Sequence, residues 1–179
     1  MCAINTGILA LPRGWTGGAL ACGHNHCIIH AVHEKTPEGR AYVAGSNSHF
    51  QLGHGGTSSR TLRVVRSLCT RNIMAVFAEG NQSCAIDKEG RLASFGEGWT
   101  DADAIGTKEP IIHRDCNFQD VALGDSQFAM VKKEDGHYGL VKVGRPISHF
   151  DSGNITDFKS VKSGGNYVGV KVVLQPADP

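Results

Sequence analysis

Apolar residues fall in short runs along the chain, and the runs end at glycines. Leu20-Ala21-Cys22 runs into Gly23, three polar residues follow, and Cys27-Ile28-Ile29 resumes the run. The same arrangement returns as Val76-Phe77-Ala78-Glu79-Gly80-Asn81-Gln82-Ser83-Cys84-Ala85-Ile86. A third copy is Val121-Ala122-Leu123-Gly124-Asp125-Ser126-Gln127-Phe128-Ala129-Met130, and a weaker fourth runs from Val161 through Gly164 to Val170. The anchor glycines stand at 23, 80, 124 and 164, spaced by 57, 44 and 40 residues. Runs this short, bounded by glycine and without helical periodicity, predict strands.

A second element follows each of the first three copies. It is a polar turn with glycine, a short apolar run, then glycine again: Glu38-Gly39 to Gly45, Glu89-Gly90 to Gly96, and Asp135-Gly136 to Gly144. An acidic residue and a glycine between two apolar runs mark a β-hairpin. A third element closes the unit, as Phe50-Gln51-Leu52-Gly53-His54-Gly55 after Gly45 and as Ala104-Ile105-Gly106 after Gly96. Linking strands follow at Leu62–Leu68 and Pro110–His113. Repeats of four short strands at this period are the signature of propeller blades, whereas a sandwich would not require one glycine signature four times.

The pattern resembles the RCC1 repeat (regulator of chromosome condensation). Gly23 and His26 match its first signature, and Gly45, Asn47, Gln51, Leu52, Gly53 and Gly55 match its second. The later copies depart from it. Ser83 and Gln127 stand where the family has histidine, Phe95-Gly96 where Trp-Gly is usual, and Ile105-Gly106 is what remains of Gln-Leu-Gly. The expectation is an all-β fold, a short or partial RCC1-like β-propeller of about three to four blades. Residues 1–179 form one domain, with repeats near 19–72, 73–117 and 118–156 and a remnant at 157–175. Ile4–Leu11 would either complete the last blade or leave an open arc with exposed blade faces.

Composition narrows the function. Glycine takes 23 of 179 positions, roughly 13% against a usual ~7%, which fits many tight turns. The net charge of +1 argues against a strongly basic nucleic-acid footprint, and no apolar run is long enough for a membrane span. The N-terminal stretch lacks a basic region and a signal-peptide core, so the expected location is cytoplasmic or nuclear, not secreted. Six cysteines, at 2, 22, 27, 69, 84 and 116, include no C-x-x-C pair, and several lie in apolar runs as small core residues.

The densest chemical cluster is Cys22-x-His24-x-His26-Cys27-x-x-His30-x-x-His33. It invites a metal reading, with His24, His26 and His30 as candidate ligands. Zinc needs four ligands converging from turns, while alternation along a strand would place Cys22, His24 and His26 on one face and Cys27 on the other. A structural role is therefore preferred, and no cofactor is expected. No G-x-S-x-G elbow or H-E-x-x-H is present, so no enzyme is expected. Gly53-His54-Gly55-Gly56 lacks the lysine of a phosphate loop and reads as a blade-to-blade loop.

Partner-binding candidates are Arg60, Arg63 and Arg66, suited to an acidic partner, though a solvated strand edge that protects against aggregation is the preferred reading of the same residues. Trp99 and Asp101 offer an aromatic loop contact, with a buried tryptophan as the alternative. These residues point to a non-catalytic protein–protein interaction module, a scaffold or structural subunit of a larger intracellular, for instance cytoskeletal, assembly. A homodimer would satisfy an open arc. The family resemblance implies an alternative, a regulator or guanine-nucleotide exchange factor of a Ran-like small GTPase.

Overall fold

The computed structural model describes residues 9–99, 106–114, 116–124, 128–132, 138–143, 149–150, 158–164 and 167–172. The first sheet is β1 (Trp15–Cys22), β2 (His26–His33), β3 (Gly39–Gly45) and β4 (Ser59–Val64), paired in that order. The second is β5 (Ile73–Glu79), β6 (Gln82–Asp87), β7 (Leu92–Gly96) and β8 (Thr107–His113). The third is β9 (Asn117–Ala122), β10 (Phe128–Lys132), β11 (Tyr138–Lys142) and β12 (His149–Phe150). β13 (Phe158–Gly164) and β14 (Tyr167–Val172) pair as an antiparallel hairpin.

Each four-stranded sheet is an antiparallel meander, because every link is short enough to return the chain beside the strand it has left. The first strands lie side by side: β1 packs by β5, β5 by β9, and β9 by β13. Sheets stacked through their first strands, with the fourth strands outermost, are propeller blades. A short 3-10 turn, Arg66–Leu68, leads out of the first blade. Among the described residues no helix is long and apolar enough to cross a membrane.

The core lies between blades. Ile28, Val43, Leu52, Leu68, Ile73 and Phe95 fill the first interblade layer. Ile86, Leu92, Trp99, Phe118, Val121 and Val141 fill the second. Strand alternation sorts the side chains, since directly opposite residues share a face. Ile28 opposes Val43 and faces the second blade, while Cys27 opposes Ala44 on the other face.

Two expectations change. Cys22, His24 and His26 do not share a strand face, because β1 stops at Cys22 and the chain reverses through residues 23–25. Reversal brings Cys22 opposite Cys27 instead. Of the proposed closing strand Ile4–Leu11, residues 4–8 lie outside the described residues and 9–11 are in no strand.

Candidate interaction surface

The junction of the first two blades is built from the residues that carry the repeat pattern. Gly23 N–H donates to His26 O at 3.0 Å, and His24 N–H donates across the junction to Gly80 O at 2.8 Å. A side chain at Gly23 would meet the His26 ring and the Gly80 carbonyl, which is why glycine stands there. Burial lowers the His26 pKa to about 4, so the ring is neutral at pH 7. Its Nε2 lies 2.7 Å from Ser83 Oγ, and Ser83 in turn donates to Gln51 O at 2.9 Å. The single hydroxyl proton of Ser83 is committed to Gln51, so His26 Nε2–H donates to Ser83.

The loop from β3 to β4 is tied by one side chain. Asn47 Nδ2 donates to His54 O at 2.8 Å and to Gly56 O at 2.7 Å, and its Oδ1 accepts from Leu52 N–H at 2.9 Å. An amide is the one small side chain that serves carbonyls and an N–H at once. Gln51 is fully buried, and its Oε1 accepts from His49 N–H at 2.8 Å. The matched residues Asn47, Gln51 and Leu52 thus shape the loop and seat it on the second blade.

That loop walls a cleft of about 530 Å³ lined by His54, Arg63, Arg66, Ser67 and Glu109. β4 of the first blade supplies Arg63, and β8 of the second supplies Glu109. His54 Nδ1 accepts from Gly56 N–H at 3.0 Å, which leaves the ring proton on Nε2. Burial lowers the His54 pKa, the Arg63 cation lowers it further, and Glu109 opposes both. The lining therefore carries two guanidinium cations against one carboxylate.

Arg60, Arg63 and Arg66 are exposed along the rim of the first blade. Three other arginines, Arg40, Arg71 and Arg91, are paired with carboxylates. Arg40 reaches Glu38 at 2.7 Å, and Arg91 reaches Asp87 at 2.7 Å, where Arg71 also lies within 3.7 Å. Arg60, Arg63 and Arg66 make no ion pair among the described residues.

Trp99 has no exposed surface, and its indole N–H donates to Phe95 O at 2.8 Å within the second core layer. It is a core residue and offers nothing to a partner. Asp101 lies outside the described residues. The metal candidates diverge: His24 is exposed in the turn, His26 is bonded to Ser83, and His30 lies against the Ile73 backbone with its pKa lowered by burial. Among the described residues no group of three or more His, Cys, Asp or Glu is placed to hold a metal ion. Sequence reasoning missed His54 and Glu109 as cleft residues. The glycine-rich loop signal pointed at His54, but nothing local marks Glu109.

No protein-family model matches the sequence. Over 79 residues the chain is 35% identical to the X-linked retinitis pigmentosa GTPase regulator of Canis lupus familiaris. It is 33% identical over 79 residues to the protein of that name from Mus musculus. The match spans 43% of this chain and only 7% of the length of those relatives. Among solved structures, human WBSCR16 superposes with TM-score 0.59 at 18% identity, over 75% of this chain and 37% of that one. Prp20p of Saccharomyces cerevisiae superposes with TM-score 0.61 at 15% identity, over 88% of this chain and 44% of that one. Yeast RCC1 (Prp20), solved bound to Kap60, gives TM-score 0.52 at 17% identity, over 70% and 32%. At such identities the structural likeness shows the fold, and the fold is a partial RCC1-like propeller. The repeat pattern and the architecture agree on that fold.

Proposed function

We propose that the chain is a single, non-catalytic interaction domain that docks an acidic protein segment on the rim formed by Arg60, Arg63 and Arg66. The observation that carries this reading is that these three exposed cations have no ion-pair partner among the described residues and stand together beside an arginine-lined cleft, whereas Arg40 and Arg91 are each held by carboxylates. Desolvating a carboxylate between two guanidinium groups gives charge-assisted, directional bonds. Its role would be that of a scaffold or structural subunit of a cytoplasmic or nuclear assembly. The test is affinity purification of the tagged chain at moderate salt beside an Arg63→Glu/Arg66→Glu variant. Co-purifying proteins at fixed stoichiometry, lost from the variant, are the expected result. An unchanged set of partners removes the rim from the argument.

A second reading is regulation of a Ran-like small GTPase. It is supported by the relatives named GTPase regulators and by the Prp20p structure, which was described with its binding to Gsp1p and histones. An exchange factor holds the nucleotide-free GTPase. Retention of a GTPase only after nucleotide is stripped would favour this reading. Light scattering on the isolated chain separates both from self-association through a second copy.

A further inference from the structure

We propose that Cys22 and Cys27 form a reversible disulfide across the β1–β2 hairpin. The two are direct cross-strand partners. The bond from Gly23 N–H to His26 O, 3.0 Å, makes the next pair out, Cys22 with Cys27, a non-hydrogen-bonded pair. In such pairs the Cα atoms approach to about 4.5 Å and the side chains stand closest. A disulfide needs Cα atoms about 4.4–6.8 Å apart. Both side chains rise from the same face of the sheet, so the sulfurs can meet without moving either strand.

The environments divide the roles. Cys22 is exposed, while Cys27 is buried beside it. Cys84 is sealed in the second core layer, and Cys69 lies past β4 with its thiol on Val65 O at 3.7 Å. Neither competes for Cys22. The Cys22 thiolate attacks one sulfur of a small-molecule disulfide such as oxidised glutathione, expelling one thiolate and leaving a mixed disulfide. Cys27 then gives up its proton and attacks the Cys22 sulfur, expelling the second. The cysteines lose two protons and two electrons, which the glutathione disulfide gains.

The crosslink closes a very short loop, so its entropic stabilisation is small and a dithiol reverses it. It spans the foot of the turn that hands His24 N–H to Gly80 O, 2.8 Å away. Oxidation therefore stiffens the hairpin at the contact between the first two blades.

The test treats the full chain with oxidised glutathione, quenches in acid, and alkylates in denaturant with a maleimide. Trypsin then releases residues 14–35, which carry both cysteines. The expected peptide is lighter by two hydrogens, carries no maleimide, and is restored to alkylation by dithiothreitol. Cys27→Ser should stop at glutathione on Cys22, and Cys22→Ser should leave Cys27 alkylated. A wild-type peptide that stops at glutathione on Cys22, keeps both maleimides, or shows Cys22 joined to another cysteine overturns the proposal.

Discussion

His26 on β2 and Ser83 on β6 meet at 2.7 Å, and this one bond joins two blades at a fully buried position. Burial keeps the ring neutral by holding its pKa near 4, below the ordinary 6.5. At pH 7 folded and unfolded chains both carry it uncharged. As pH falls through 6.5 the unfolded chain takes up a proton that the folded chain refuses, so stability falls until the folded ring itself titrates near 4. The loss amounts to about 3 kcal/mol across that window. His30, lowered by burial, adds in the same direction. Denaturant melts from neutral to acid pH should show a shallower slope in His26→Gln than in wild type; parallel slopes would remove His26 from the linkage.

Asn47→Ala should loosen the loop between β3 and β4. It strips the amide from His54 O and Gly56 O and leaves the Leu52 N–H without its acceptor. Unsatisfied groups at a site only 5% exposed put the cost at about 2–3 kcal/mol. Asn47→Asp is no rescue, since a carboxylate donates nothing to the two carbonyls. Urea midpoints of both variants check this, and a wild-type midpoint for Asn47→Asp would contradict the assigned bonds.

The repeats were legible because glycines and hairpin turns act locally. Gly45 and Gly80 take positive φ and Gly23 leaves room for the His26 ring and the Gly80 carbonyl, and their spacing shows in the chain. His26 showed through the family pattern, although its partner Ser83 lies 57 residues away. The arginine rim was visible as a run, but the cleft was not, because β4 and β8 come together only when two blades stack. Trp99 was ambiguous for a similar reason. Its polar neighbours suggest a surface loop, and only the second core layer reveals that the ring is enclosed. The cysteine pair was hidden by carrying strand alternation through residues where the chain in fact turns.

Gly23 and Gly80 occupy the same place in successive repeats for different reasons. At Gly23 an added methyl would enter the His26 ring and the Gly80 carbonyl. At Gly80 nothing stands within 4 Å, but φ is +54°, where a side chain is strained. Gly80→Ala should cost about 1–2 kcal/mol from the backbone alone. Gly23→Ala should cost more than about 2 kcal/mol, since backbone and ring must both shift. Equal melting temperatures for the two variants would contradict the close approach at Gly23.

Trp99 and Arg66 separate folding from recognition. Trp99→Ala opens a cavity in the layer shared with Phe118, Val121 and Val141 and deprives Phe95 O of its donor. A loss of about 3–5 kcal/mol is expected, enough to unfold a domain of ordinary stability. Arg66→Ala removes an exposed side chain with no ion pair among the described residues, so stability should stay within about 0.5 kcal/mol. Partner capture should respond in the reverse way, falling for Arg66→Ala at an unchanged melting temperature. Thermal melts run beside the capture assay decide the matter. A destabilised Arg66→Ala would make the rim part of the fold, and full capture by that variant would place the partner elsewhere.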